Sequence, residues 1–100
     1  MNKLSEQYIK KDVQKICALY GAYKVCESDI ELRDVLEGRI EELLIELVDE
    51  LADESNAKEM EEYRTHLKFY GFVDANGDTS IVTEIIKKAK GVLNGRGMIL

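Results

Sequence analysis

The stretch 28-SDIELRDVLEGRIEELLIELVDELADE-54 decides the fold, because it predicts one long helix around which the other segments must pack. Ser28 and Glu31 have the spacing of a capping box, in which each side chain accepts a hydrogen bond from the other residue's amide. We therefore expect this helix to begin at Ser28. Apolar residues recur along it at the three- and four-residue steps of an α-helix, at Leu32, Leu36, Ile40, Leu43, Leu44, Leu47 and Leu51.

The apolar surface of this helix is wide. On a helical wheel the seven regular positions cover about 120°. Four more apolar residues widen the surface to about half of the circumference, more than a helix at a protein surface needs; they are Ile30, Ile45, Val48 and Ala52. We therefore expect neighbours on two sides of the helix, or a partner chain on one side. The candidate residues of an oligomer interface, which predict a homodimer, are Ile45, Val48, Met98, Ile99 and Leu100.

The opposite face of the same helix is acidic. Five carboxylates fall within about 60° of the wheel; they are Glu31, Glu42, Glu46, Asp49 and Asp53. Three interpretations are open, namely a solvated face, a docking face for a basic partner, and a cluster of metal-binding or catalytic carboxylates. Like charges three or four residues apart cost a few tenths of a kcal/mol each, so burial of the other side must hold the helix together.

Length and composition fit one all-α domain over residues 1–100, a four-helix bundle-like fold organised around the central helix. There is no proline, so glycines and caps must set the helix boundaries. No apolar run is long enough to span a bilayer, and the first residues lack the apolar core of a signal peptide, so we expect a cytoplasmic protein. Cys17 and Cys26 lie among apolar residues and are expected to be buried thiols.

The net charge of −6 is unevenly distributed along the chain. Residues 1–26 carry five lysines against two acids, residues 27–62 carry three basic residues against 15 acids, and residues 63–100 carry six against three. The net charges are therefore +3, −12 and +3. Such an acidic middle segment would repel DNA phosphates, which argues against duplex binding by the central face.

The first helix is predicted to begin after Ser5, a candidate N-cap, and to end at Gly21 or to continue towards Ser28. Its apolar stripe contains Ile9, Val13, Ile16, Cys17 and Tyr20. The link to the central helix is short, which predicts a hairpin of two helices.

A third helix is predicted between Asn56, as its N-cap, and Gly71. Its stripe is Met60, Tyr63, Leu67 and Tyr70, and we expect both tyrosine rings in the core. His66 lies beside that stripe and is expected to be partly buried or at the surface.

A turn at Asn76-Gly77 precedes the last helix, whose cap is Asp78, Thr79 or Ser80. Residues 94–100 form a tail that is flexible or docks at an interface.

The loop at residues 74–84 resembles an EF-hand calcium loop. Asp74, Asn76 and Asp78 occupy the first, third and fifth positions. The resemblance implies calcium binding, but the sixth position holds Thr79 instead of glycine, and the twelfth holds Ile85 instead of a bidentate acid. A capped turn is therefore the preferred interpretation.

The acids of the central helix resemble those of the all-α nucleotide pyrophosphohydrolases, which hold magnesium with EExxE and ExxD pairs on facing helices. Glu46 with Asp49, and Glu50 with Asp53, match ExxD. Residues 41–45 do not match EExxE, and they lie on the same helix as the other pairs. The resemblance implies a magnesium-dependent hydrolase using these four acids.

The leading hypothesis is a non-enzymatic protein–protein interaction module, with no cofactor and no metal, whose acidic face binds a basic partner surface. By composition the chain is similar to small phage and mobile-element products that block a host nucleic-acid-binding protein, which suggests an inhibitor or adaptor. The alternatives are the magnesium-dependent hydrolase and a small DNA-binding regulator. The regulator would contact phosphates through Lys87, Lys88, Lys90 and Arg96 of its basic end.

Overall fold

A computed structural model describes residues 3–74 and 76–95 of the chain. Four helices follow one another, namely α1 (Lys3–Val25), α2 (Ile30–Leu51), α3 (Ala57–Tyr70) and α4 (Ser80–Gly95). The described ranges contain no strand. The predicted all-α, four-helix bundle-like fold is confirmed, with α2 as its central helix.

The α2 helix is the axis of the core because α1, α3 and α4 all pack against it. Its buried residues are Ile40, Leu43, Leu44, Leu47, Val48 and Leu51, each at most 2% exposed. The chain's own helices therefore cover the apolar surface between Ile40 and Leu51. The stripe is less regular at its N-terminal end, where Ile30 is 73% and Leu32 47% exposed. Because α3 ends near Glu41, the first turns of α2 extend beyond it.

Both ends of α2 differ by a few residues from the prediction. The cap is Asp29 and not Ser28, because the Asp29 carboxylate accepts from the Leu32 amide at 3.0 Å. The helix ends at Leu51, where the Asn56 amide donates to the Leu51 carbonyl at 2.9 Å. The other amide atom, Asn56 Oδ1, accepts from the Asp53 amide at 2.8 Å. Asn56 precedes α3 as predicted, but its side chain closes the end of α2 and makes no cap bond to α3.

The α1 helix begins before the predicted N-cap, since Ser5 lies inside it, and of the two predicted ends it follows the second, because it continues past Gly21 to Val25. A glycine in a helix costs about 1 kcal/mol relative to alanine, so contacts of the final turns must hold them in place. Tyr23 supplies such contacts, because its ring packs edge-on against Phe72 at 5.2 Å and its hydroxyl donates to Glu37 at 2.9 Å. Residues 26–29 then complete the expected hairpin with α2.

The α3 helix ends at Gly71, as predicted, in a left-handed conformation with φ of 68°. The expectation that both tyrosines of α3 lie in the core is wrong for Tyr70, which is 69% exposed, while Tyr63 is half-buried. The chain reverses at Gly71 and brings Phe72 into the core with no exposed surface. Phe72 contacts Tyr20 and Tyr23, so the aromatic cluster joins α1 to the loop after α3.

The two cysteines are not both buried, contrary to the prediction. Cys17 is exposed and Cys26 is half-buried, and neither forms a disulfide. Cys17 falls at the outer edge of the α1 stripe, where no described residue of another helix covers it completely. An apolar sequence context therefore did not suffice to predict burial.

Candidate partner-binding face

Four of the five predicted acids lie on one exposed face of α2; they are Glu31, Glu42, Glu46 and Asp49. We call this set the acidic face. The fifth predicted residue, Asp53, lies two residues beyond the end of α2. Its carboxylate accepts from the Ser55 amide and hydroxyl, at 2.8 and 2.6 Å, and from the Asn56 amide. These bonds lower the pKa of Asp53 and give it a role in the turn between α2 and α3.

Two residues of the acidic face are paired within the chain. Arg39 lies 3.1 Å from Glu42 on α2, and Arg64 of α3 donates to Asp49 Oδ2 at 2.6 Å. Such exposed pairs contribute about 0–1 kcal/mol each, so a partner could replace them at small cost. Among the described residues, no basic group lies within 4 Å of the Glu31 or Glu46 carboxylate. The acidic face therefore keeps two carboxylates that the described chain does not neutralise.

Apolar groups are exposed beside these acids. Val35, one helical turn after Glu31, is 68% exposed, and Leu32 is 47% exposed. Gly38 follows one turn later, and a Cβ atom built there would meet no atom within 4 Å. The N-terminal half of the acidic face thus combines negative charge, exposed apolar side chains and one position without a side chain. Central apolar contacts with a polar rim are the usual composition of a protein–protein interface.

A buried carboxylate, Asp12 of α1, lies next to the acidic face. Asp12 is 5% exposed, and its Oδ2 atom has no hydrogen-bond partner among the described residues. Burial raises its pKa to about 6, and the charges of Glu46 and Glu50 act in the same direction. Lys15 and Arg39 oppose the shift but do not cancel it. Two carboxylates of α2 therefore act on the buried carboxylate of α1 across the contact between the helices.

Asp12 was not among the predicted site residues, although its position on a helical wheel marks it as unusual. Asp12 lies three residues after Ile9 and four before Ile16, so it falls within the apolar stripe of α1. A charged residue inside such a stripe is uncommon and often marks a functional or strained position.

The predicted oligomer-interface residues have different positions. Val48 is 1% exposed and is buried by the chain itself, so it has almost no surface to offer a second copy. Ile45 is half-buried and packs against the core. Met98, Ile99 and Leu100 lie outside the described residues. The homodimer stays a prediction.

The two groups of acids that resembled metal sites have other contacts. Asp49 of the ExxD pattern is bonded to Arg64, and Asp53 is held in its turn. In the loop before α4, Asp74 Oδ1 accepts from the amides of Asn76 and Asp78, both at 2.8 Å. Within residues 3–74 and 76–95, no group of three or more His, Cys, Asp or Glu side chains is arranged to hold a metal ion.

His66 is half-buried, as expected, and its ring lies 5.3 Å from that of Tyr70. It lines a cleft of about 270 Å³ between α3 and the start of α4, together with Asp74, Asp78 and Glu84. Asp78 Oδ1 accepts from the Ser80 amide at 2.9 Å and so caps the first turn of α4. These contacts agree with the preferred interpretation of the loop as a capped turn.

Comparison with models of protein families, with curated proteins and with solved structures finds no match for the chain. Among the described residues, no helix is both long enough and apolar enough to cross a lipid bilayer.

Proposed function

We propose that this chain is a non-enzymatic protein–protein interaction module that binds a basic surface of a partner protein through the acidic face of α2. One observation carries the proposal, namely that unneutralised carboxylates and exposed apolar side chains lie together on one face. Glu31, Leu32 and Val35 supply both kinds of group within the first two turns of α2. Glu46 adds a second unneutralised carboxylate to this face, near the contact between α2 and α1.

The physical chemistry of such a face defines the partner. Carboxylates along a rigid helix attract lysine and arginine side chains at long range and accelerate association. The exposed apolar groups then contribute the area that affinity requires. A protein that binds nucleic acid presents a suitable basic surface, because it has to neutralise phosphates. The chain would compete for that surface as an inhibitor, or hold the partner as an adaptor.

The test is affinity capture from a lysate of the native host, followed by titration of the captured protein against purified variants. The double variant E31K/E46K reverses the two unneutralised charges and leaves the Arg39 and Arg64 pairs intact. We expect at least tenfold weaker binding and a shallower salt dependence, because long-range attraction becomes repulsion.

The matched control is E54K/E61K, which makes the same change in net charge at exposed positions outside the acidic face. The control should bind as the wild type does. Equal binding by E31K/E46K and the wild type would refute the acidic face as the docking surface. Equal weakening by both double variants would also refute it, because binding would then depend on the net charge of the chain and not on the position of the acids.

A further inference from the structure

A second surface, unrelated to the acidic face, lies between α1 and α4. The two helices pack together, and next to them the Tyr20 hydroxyl of α1 is 2.5 Å from the hydroxyl of Thr79, the residue before α4. Beside this contact a cleft of about 300 Å³ remains open. Its floor is formed by Ile16, Val82 and Ile86, which are almost fully buried, so the surface that an occupant can reach belongs chiefly to the residues along the rim. We call this cleft the α1–α4 groove.

Small residues line the groove. Gly21 lies one turn before the end of α1, and a Cβ atom built there would meet no atom within 4 Å. Glycine costs about 1 kcal/mol relative to alanine in a helix. No packing contact inside the described chain requires this glycine, so a larger side chain would project into the groove. Cys17 and Thr83, also small, line the same groove and are exposed.

Lysines border the groove on both helices. Lys10 and Lys24 stand seven residues before and after Cys17, so all three lie nearly in line along α1. The Lys24 ammonium is 4.9 Å from the centre of the Tyr20 ring and lines the groove. Glu6 is the one acid on this line, and it lies a turn beyond Lys10.

On α4, Lys87 and Lys90 follow Thr83 by four and seven residues, which puts them on the same face of the helix. Both are exposed. Lys88 faces elsewhere, since its ammonium is paired with Glu59 of α3. Of these lysines Lys24 lines the groove itself, and helical spacing puts the others on the faces of α1 and α4 that flank it.

We propose that the α1–α4 groove binds an acidic amphipathic helix of a partner protein, whose apolar side chains fill the cleft and whose carboxylates face the lysines. The lysines favour an acidic occupant by charge complementarity. The apolar groups of the cleft favour an amphipathic helix, because a helix that binds in a groove anchors through apolar residues at three- and four-residue steps. Nucleic acid fits less well, since phosphates would use the lysines and leave the apolar floor uncovered. The chain then carries two recognition surfaces of opposite charge.

The probe is a synthetic peptide of about 14 residues, because Lys10 and Lys24 stand about 21 Å apart along α1. It carries leucines at three- and four-residue steps with glutamates between them, and a fluorescent label at one end. Anisotropy at low salt measures its binding to the full chain. The variant G21L places a side chain in the open space and favours the helix, so it should fold well and bind at least tenfold more weakly.

The charge test is K24E/K87E, compared with K58E/K68E, which changes exposed lysines of α3 by the same total charge. We expect at least tenfold weaker binding for K24E/K87E and binding within about twofold of wild type for the control. Absence of binding by the wild type, or equal binding by G21L, overturns the proposal. So does displacement of the peptide by duplex DNA at equal concentration, which would make the groove a nucleic-acid site.

Self-association is the remaining outcome. Sedimentation of the wild type that shows a dimer or larger assembly, lost in G21L, would identify a second copy as the occupant and overturn the proposed partner. Peptide binding in the groove does not depend on the acidic face, so E31K/E46K should bind the peptide as the wild type does. Failure of one surface is therefore distinguishable from failure of the other.

Discussion

Replacement of Asp12 by asparagine should stabilise the protein at neutral pH. The Asp12 side chain is nearly isosteric with asparagine, and at neutral pH it carries a buried charge whose Oδ2 atom has no partner among the described residues. Its pKa is raised from 3.8 to about 6, chiefly by burial. At about 1.36 kcal/mol for each pKa unit, the ionised form costs about 3 kcal/mol at pH 7.5.

The sign of the pH dependence follows from the direction of the shift. Between the unfolded pKa of 3.8 and the folded pKa of about 6, the folded state binds more protons than the unfolded state. The contribution of Asp12 is therefore fully present below the lower value and is lost as the pH rises through about 6. The asparagine variant has no such loss. Its free energy of unfolding should equal that of the wild type near pH 3.8 and exceed it by up to about 3 kcal/mol at neutral pH.

Urea denaturation followed by circular dichroism, repeated across this pH range, gives the difference in unfolding free energy between the two proteins. Burial also raises the pKa of Glu41, but this effect is present in both proteins and cancels in the difference. D34N, at an exposed position of α2, is the matched control and should change stability by less than about 0.5 kcal/mol. A difference between D12N and wild type that does not vary with pH, or a less stable variant at pH 7.5, would refute the reasoning.

Three further substitutions test the fold by the same denaturation assay at neutral pH. N56A removes both bonds that close the end of α2 and should cost about 1–2 kcal/mol, whereas N94A at an exposed position should cost little. G71A should cost more than about 1 kcal/mol, because a side chain there is strained at positive φ and meets the Glu41 carboxylate; if that contact matters, E41A should restore part of the loss. F72A should cost about 3–5 kcal/mol, and a loss below about 1 kcal/mol would contradict its central place in the core.

The fold could be predicted from α2 because its apolar period extends over most of the helix, and burial of a wide stripe forces other helices to surround it. The errors are local. Ser28 and Asp29 are adjacent and both can cap a helix, so the choice between them depends on side-chain geometry that the pattern does not contain. Tyr70 was misjudged because Gly71 reverses the chain, and Phe72, the residue after the turn, fills the core instead.

The candidate site was less predictable, because its electrostatics depend on residues distant in sequence. The wheel places the four acids of the acidic face correctly on one side of α2. The partner of Asp49 is Arg64, 15 residues away on α3, and no pattern within α2 indicates it. Asp53 satisfies the same wheel, but the helix ends before it. The α1–α4 groove was not predicted either, since its lining comes from two helices that are distant in sequence.

Asp12 links the stability of the fold to the proposed function. Glu46 belongs to the acidic face and also raises the pKa of Asp12, so a basic partner group bound near Glu46 would favour ionised Asp12. Binding would then release a proton, and affinity would rise as the pH increases through about 6. The same buried carboxylate that weakens the folded state at neutral pH would thus strengthen the attraction for a cation. Partner titrations with D12N test this link, because the variant should be more stable than wild type and yet lose this pH dependence of binding.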